Sequence, residues 1–215
     1  MNTPILIKLG GSLIHHGKGE ILHRLGSIID QLSADHPLLI ISGGGPFADT
    51  VRRYSEKFAL REETCHFMAL SAMDQYAFLL QEFIPGSILT NLLNINSWSD
   101  LPSAAGPQIL VCSGFLGQIS SDELPRTWDV TSDSIAAYLA KQWRAASLVV
   151  LKSTDIDPRL QEPDVDAFFH HLLPLNMPVW FVNGLYPERL ARLLKTGSTK
   201  GVYLPVNCLS GSIVL

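Results

Sequence analysis

Residues 5–12, ILIKLGGS, and residues 38–46, LLIISGGGP, carry the reading of this chain. In each, a short β-branched and leucine-rich run ends abruptly in glycines. Ile5–Leu9 and Leu38–Ser42 are apolar at consecutive positions, so both faces need cover. That predicts parallel strands sandwiched between helices. Ile109–Cys112, Leu148–Leu151 and Val179–Val182 repeat the pattern, each bounded by Gly, Pro, Ser, Asp or Asn.

Helical spacing fills the intervals. Ile21, Leu22, Leu25, Ile28, Ile29 and Leu32 form one apolar stripe. Phe47, Val51, Tyr54 and Phe58 continue the helical spacing after the second glycine run, and a third helix is predicted from about Thr64 to Leu80. Thr131–Trp143 opens with capping chemistry and carries Ile135, Ala136, Leu139, Ala140 and Trp143 on one face. Pro187 suits the first turn of a helix over Pro187–Leu194 that stops before Gly197. Strand and helix alternate, so the class is α/β with a mostly parallel sheet. The stretch Asn94–Gln108, with Pro102 and Pro107, reads as a surface loop within one domain.

Composition removes several function classes. The 215 residues are 47% hydrophobic and 17% charged, which excludes a disordered chain. A formal charge of −4 without a Lys/Arg run argues against tracking a nucleic-acid backbone. No apolar stretch is long enough to span a bilayer, and Met1–Gly11 lacks the basic region of a signal peptide. Cys65, Cys112 and Cys208 are widely spaced and read as reduced thiols. A cytoplasmic protein is the expectation.

The glycine runs are where chemistry enters. Without Cβ atoms, Lys8–Leu9–Gly10–Gly11–Ser12 lets backbone N–H groups approach phosphate oxygens closely, and Lys8 brings a positive charge to the same place. Ser42–Gly43–Gly44–Gly45–Pro46 opens a helix, whose first amides favour an anion. Either run alone reads as a tight strand-to-helix turn. Two after consecutive strands, one preceded by lysine, point to two anionic groups brought together. Neither matches GxxxxGK[ST] or GxGxxG, so the phosphate-handling design is a different one.

KLGGS at Lys8–Ser12, SGGGPFAD at Ser42–Asp49, DVTSDSIAAYLA at Asp129–Ala140 and STDID at Ser153–Asp157 occur in that order and together resemble the amino-acid kinase superfamily. WDVTSDS at Trp128–Ser134, the segment Cys65–Asp74, and VNGLYPERL at Val182–Leu190 are similar to its archaeal methanofuran branch. That branch adds a second phosphoryl group to an aminomethylfuran phosphate. The resemblance implies a three-layer αβα sandwich over residues 1–215, with the acceptor on the N-terminal half and ATP on the C-terminal half. It implies ATP with Mg²⁺ held largely by the nucleotide, a small phosphate-monoester acceptor and a homo-oligomer, with no nucleic-acid or membrane partner.

Residue by residue, the resemblance gives Lys8 the transferring phosphoryl group and Asp133 the task of orienting Lys8. Gly10, Gly11 and Ser12 meet the donor phosphates, with Thr154, Asp155 and Asp157 on the adenosine side. Gly43, Gly44 and Gly45 hold the acceptor phosphate or the transferring group; Asp74, Asp129, Thr131, Ser132 and Asn183 complete the acceptor side. Pro158 stands where the family pattern has Gly, and the second lysine that several relatives draw from a late Gly-Gly-Met segment is missing. Lys152, Lys195 and Lys200 are candidates to replace it, with Lys152 preferred because it ends a predicted strand. UMP and isopentenyl phosphate are alternative acceptors; a non-catalytic nucleotide- or oxyanion-binding storage protein is the alternative of another class.

Plainer readings stand beside these. Asp133 by itself is a helix cap, and Asp155 and Asp157 are ordinary loop acids. Asp74 either pairs with an ammonium group on the acceptor or is solvated; Trp128 either walls the acceptor site or fills core. Asn183 and Arg189 either close the acceptor pocket, form an oligomer contact, or simply mark a strand exit and helix start. Met68, Met73 and Phe78 read as core. His15–His16 and His170–His171 are adjacent pairs pointing apart, and no metal site is assigned to them.

Overall fold

The computed structural model describes residues 3–93, 95, 97, 100–101, 106–157, 165–174 and 176–204. Pro158, Cys208 and part of the 94–108 loop lie outside the described residues.

Seven strands form one sheet: β1 (Ile5–Leu9), β2 (Leu38–Ser42), β3 (Ile88–Asn91), β4 (Gln108–Val111), β5 (Ser147–Lys152), β6 (Val179–Asn183) and β7 (Val202–Leu204). Their spatial order is β3-β4-β2-β1-β5-β6-β7, parallel throughout except for β7, which runs antiparallel to β6. The helices are α1 (Glu20–Ser33), α2 (Gly45–Phe58), α3 (Glu62–Phe83), α4 (Ser113–Leu116), α5 (Ser132–Gln142), α6 (Phe169–Leu172) and α7 (Pro187–Thr196). The αβα architecture and the parallel sheet agree with the sequence reading.

Alternation along β1 sorts the core into two layers. Leu6 joins Leu148, Val150 and the apolar side of α5 on one face. Ile7 and Leu9 join Val149, Leu151, α1 and α7 on the other. Among the described residues no helix is long and apolar enough to cross a membrane.

The chain builds one half of the sheet outward from β1 through β2, then returns to lay β5 on the other side of β1. β1 is therefore the topological switch point, where ligands enter α/β sheets beyond the carboxyl ends of the strands. Both glycine runs emerge at that edge.

Some expectations shift. Phe78 is 57% exposed, because Met73, Tyr76, Ala77 and Leu80 occupy the buried side of α3 at that level. α3 starts two residues earlier than predicted, at Glu62, where two carboxylates favour the helix N-terminus. It also runs three residues further, to Phe83. Gly26 explains how closely α1 crosses the end of α3: a Cβ there would lie 1.8 Å from the carbonyl oxygen of Phe83. Gly26→Ala is expected to destabilise the fold by about 3 kcal/mol, the upper end for overpacking against a neighbour that cannot move aside. Urea unfolding measures it, and an unchanged midpoint would show that the two helices do not meet here.

Candidate active site

β1 and β5 pair in parallel with Lys8 opposite Val150. Lys152 is two residues beyond Val150, so the strand period sends it to the same face as Lys8. That face is covered by α5, whose first turn carries Asp133. The three side chains meet there. Lys8 Nζ lies 2.7 Å from one carboxylate oxygen of Asp133, and Lys152 Nζ lies 2.7 Å from the other. Lys8 and Asp133 are buried, and Lys152 nearly so.

Burial alone would raise the Asp133 carboxyl; the charges of Lys8 and Lys152 more than reverse this and hold it below the ordinary carboxylate range. A carboxylate that fixes an ammonium group with each oxygen gives two cations a set position before any ligand arrives.

The two glycine runs touch. A Cβ on Gly11 would lie 2.4 Å from Gly45 N, and one on Gly43 would lie 2.6 Å from Gly11 N. Gly43 N donates to Leu9 O at 2.7 Å, and Gly10 N donates to Leu151 O at 2.9 Å, so each run leaves the sheet through one further ladder bond. Gly45 has φ +51°, which no Cβ-bearing residue adopts without strain. These glycines are needed for backbone-on-backbone packing. The same packing brings Gly10–Ser12 and the start of α2 to one edge, at the end of the strand that carries Lys8.

Beside Gly44 a half-open pocket lies between α2, α3 and the start of α5. Thr131 and Ser132 line it, as do Arg52, His66, Met73 and Trp128. Trp128 both walls this pocket and packs against Ala48, Val51, Cys65 and Ala72. The Arg52 guanidinium sits over its ring at 5.1 Å and is held by Asp49 at 2.8 Å. Burial, then the charge of Arg126, push the His66 imidazole below its usual pKa, only partly countered by Glu63.

Other candidates fall elsewhere. Asp74 is not in the pocket lining; its carboxylate accepts from Cys112 N at 2.8 Å and Ser113 N at 3.3 Å, capping the turn into α4. Asp129 is exposed. Asn183 ends β6, where its side-chain oxygen accepts from Leu185 N at 3.0 Å. It also bonds Asp155, which pairs with Arg189 and lies 3.5 Å from Lys200. The hydrogen bond from Arg189 holds the Asp155 carboxyl below its usual range. Asn183, Asp155 and Arg189 thus form a group beyond β5 and β6, and Arg189 stacks on Tyr186 at 4.1 Å. Ser12 Oγ and Ser153 Oγ are 2.8 Å apart, joining the loop after β1 to the one after β5. Thr154 is exposed, and Asp157 is half-buried next to Pro158.

Arg52 and His66 were not singled out from the sequence. Each sits on a helix with no motif around it, and only the packing of three helices makes them neighbours. Among the described residues no group of three or more His, Cys, Asp or Glu side chains comes together to hold a metal ion.

Comparison with known proteins identifies the family. The family model described as "Amino acid kinase family" matches residues 3–162. The chain belongs to the amino acid kinase family. It is 25% identical over 209 residues to the [5-(aminomethyl)furan-3-yl]methyl phosphate kinase of Methanocaldococcus jannaschii, covering 88% of this chain and 92% of that protein. In fold it is similar to the UMP kinase of Bacillus anthracis, with TM-score 0.69, 15% identity and 99% of both chains covered. The UMP kinase of Ureaplasma parvum gives TM-score 0.69 at 16% identity, covering 95% of this chain and 100% of that one. As a member of this family the chain is a phosphotransferase.

The lowered Asp133 pKa sets an expectation for acid stability. A carboxyl that titrates below its unfolded value of about 3.9 contributes stability that is fully present above that value and lost as pH falls through the folded pKa. Asp133→Asn is expected to flatten the acid limb of a stability-against-pH curve. An acid limb identical to that of the parent would mean that Asp133 is not held ionised by the lysines.

Proposed function

We propose that the protein transfers the terminal phosphoryl group of ATP to a phosphate oxygen of a small phosphate monoester, giving a diphosphate and ADP. The preferred acceptor is the aminomethylfuran phosphate of methanofuran-type carrier synthesis. One observation carries the transfer: Lys8 and Lys152 are pinned by Asp133 where two glycine loops meet at the switch point. The relative named as a furan phosphate kinase supports the acceptor.

Phosphoryl transfer asks for alignment and charge stabilisation more than covalent help. An acceptor phosphate brings an oxygen that is already ionised, so no strong general base is required. That oxygen forms the new bond to phosphorus as the bond to the ADP oxygen breaks. Lys8 and Lys152 stabilise charge on the group in transit, and Gly11 and Ser12 hold the donor phosphates; Gly10, whose amide is spent on Leu151 O, serves by leaving the backbone bare for their approach. Thr154, Asp155 and Asp157 take the nucleoside side in the C-terminal half. The acceptor occupies the pocket of the N-terminal half, with its phosphate towards Gly44, Arg52 and His66. Mg²⁺ would arrive on ATP, since it keeps most of its oxygen ligands from phosphate and water.

A second reading has a specific observation behind it. The pocket lining, among the described residues, offers Arg52 and His66 but no carboxylate for an ammonium group. This favours an acceptor with an uncharged organic part, such as isopentenyl phosphate.

An ADP-release assay with Mg-ATP against a panel of phosphate monoesters separates the two. Release that depends on the aminomethylfuran phosphate is expected; preference for isopentenyl phosphate would select the second reading, and no acceptor dependence would overturn both. On the active substrate, Lys8→Ala is expected to lower kcat by about 10²–10³-fold, the scale for losing one preorganised charge-stabilising group. Arg52→Ala is expected to raise the acceptor KM about tenfold with kcat nearly unchanged, as loss of uniform binding does. Wild-type kinetics in either variant would remove that residue from the mechanism.

A further inference from the structure

A carboxylate outside the glycine loops and outside the pocket lining makes the densest hydrogen-bond cluster at the head of α5. Asp166 accepts from Thr131 N at 2.9 Å, Thr131 Oγ1 at 2.6 Å and Ser134 N at 3.0 Å, and Ser134 Oγ donates to its other oxygen. The opening amides of a helix have no partner within it, and here an acidic side chain 32 residues away from Ser134 supplies one.

Thr131 Oγ1 spends its proton on Asp166, which leaves its lone pairs for the N–H of Asp133, 3.4 Å away. A hydrogen-bonded line therefore runs from Asp166 through Thr131 to the backbone of Asp133. The chain leaves the active site at Lys152, whose ammonium is bound to the Asp133 carboxylate. It is back on the same helical turn at Asp166. One turn of α5 is thus fastened to both ends of the segment that begins with the nucleotide-side residues Thr154, Asp155 and Asp157.

We propose that Asp166 is a positioning residue for phosphoryl transfer, holding the first turn of α5 so that Asp133 presents Lys8 and Lys152 together. It touches neither substrate nor the reacting atoms. The inference rests on the kinase reading above and assigns Asp166 a role in kcat more than in binding.

The test compares Asp166→Ala with Asp166→Asn. The asparagine oxygen can still accept from Thr131 and Ser134, and its NH₂ can donate to Ser134 Oγ. Asp166→Ala is expected to lower kcat about 10²-fold, the scale of a small misplacement of catalytic groups, with the KM values for ATP and acceptor within about threefold of the parent. Asp166→Asn is expected to recover kcat to within about fivefold of the parent, because it keeps the hydrogen bonds. Parental kcat in Asp166→Ala, or an asparagine variant as slow as the alanine one, would overturn the proposal.

A second readout needs no acceptor. In ¹⁵N-lysine NMR of the ligand-free protein, the side-chain signals of Lys8 and Lys152 are expected to move in Asp166→Ala and return in Asp166→Asn; unmoved signals overturn the proposal. If the parent protein turns over no phosphate monoester, the acceptor reading fails while this arm still decides the role of Asp166. Should Asp166→Ala not fold, Ser134→Ala removes one donor, and displaced lysine signals are expected there too; parental signals would overturn the proposal.

Discussion

A single buried carboxylate shared by two lysines from neighbouring strands is what the rest of the site is arranged around. Burying an ammonium group without a partner is costly. Asp133 offsets that cost by offering one oxygen to Lys8 and the other to Lys152. Its own ionisation is secured in turn by the same two charges, so the three groups stand or fall together. Such preorganisation matters for phosphoryl transfer, since charge that is already in place needs no rearrangement when the reaction occurs.

The sheet supplies the positions. β1 ends where the chain reverses its direction of growth, and β2 and β5 flank it on either side. Parallel pairing brings three strand ends to one edge, and the loops leaving them must share limited space. Glycine solves that crowding: at Gly11 and Gly43 a methyl group would run into the other loop's backbone. The same absence of side chains leaves the backbone bare to an approaching anion, although the amides of Gly10 and Gly43 are themselves paired with strand carbonyls. Crowding alone already requires these glycines, which is why glycine composition does not separate a turn from a phosphate cradle.

Much of this was legible in the chain. Ile5–Leu9 and Leu38–Ser42 have the predicted bounds because glycine stops each run sharply. β3 escaped notice because Ile88–Asn91 is an edge strand with two exposed positions of four, and β7 because it spans three residues and pairs antiparallel at the other edge. In the site, the resemblance implies that Asp133 orients Lys8, and a strand end marks Lys152 as a candidate, but no local pattern says that one carboxylate holds both. Arg52 and His66 could not be expected to meet, because three helices converge on them without any local signal. Asp74 shows the reverse: a lone acid on a helix looks available, yet backbone amides of the turn into α4 occupy it. Asp166 lies far along the chain from the turn it caps, at no spacing that a sequence pattern records.

The most direct measurement is a crystal structure with Mg-ADP and aluminium fluoride, which mimics the phosphoryl group in transit. The account predicts the fluoride group at the meeting of the two glycine loops, within about 3 Å of the ammonium groups of both Lys8 and Lys152, a normal charge-assisted contact. A fluoride group bound elsewhere, with Lys8, Asp133 and Lys152 contacting only one another, would contradict it.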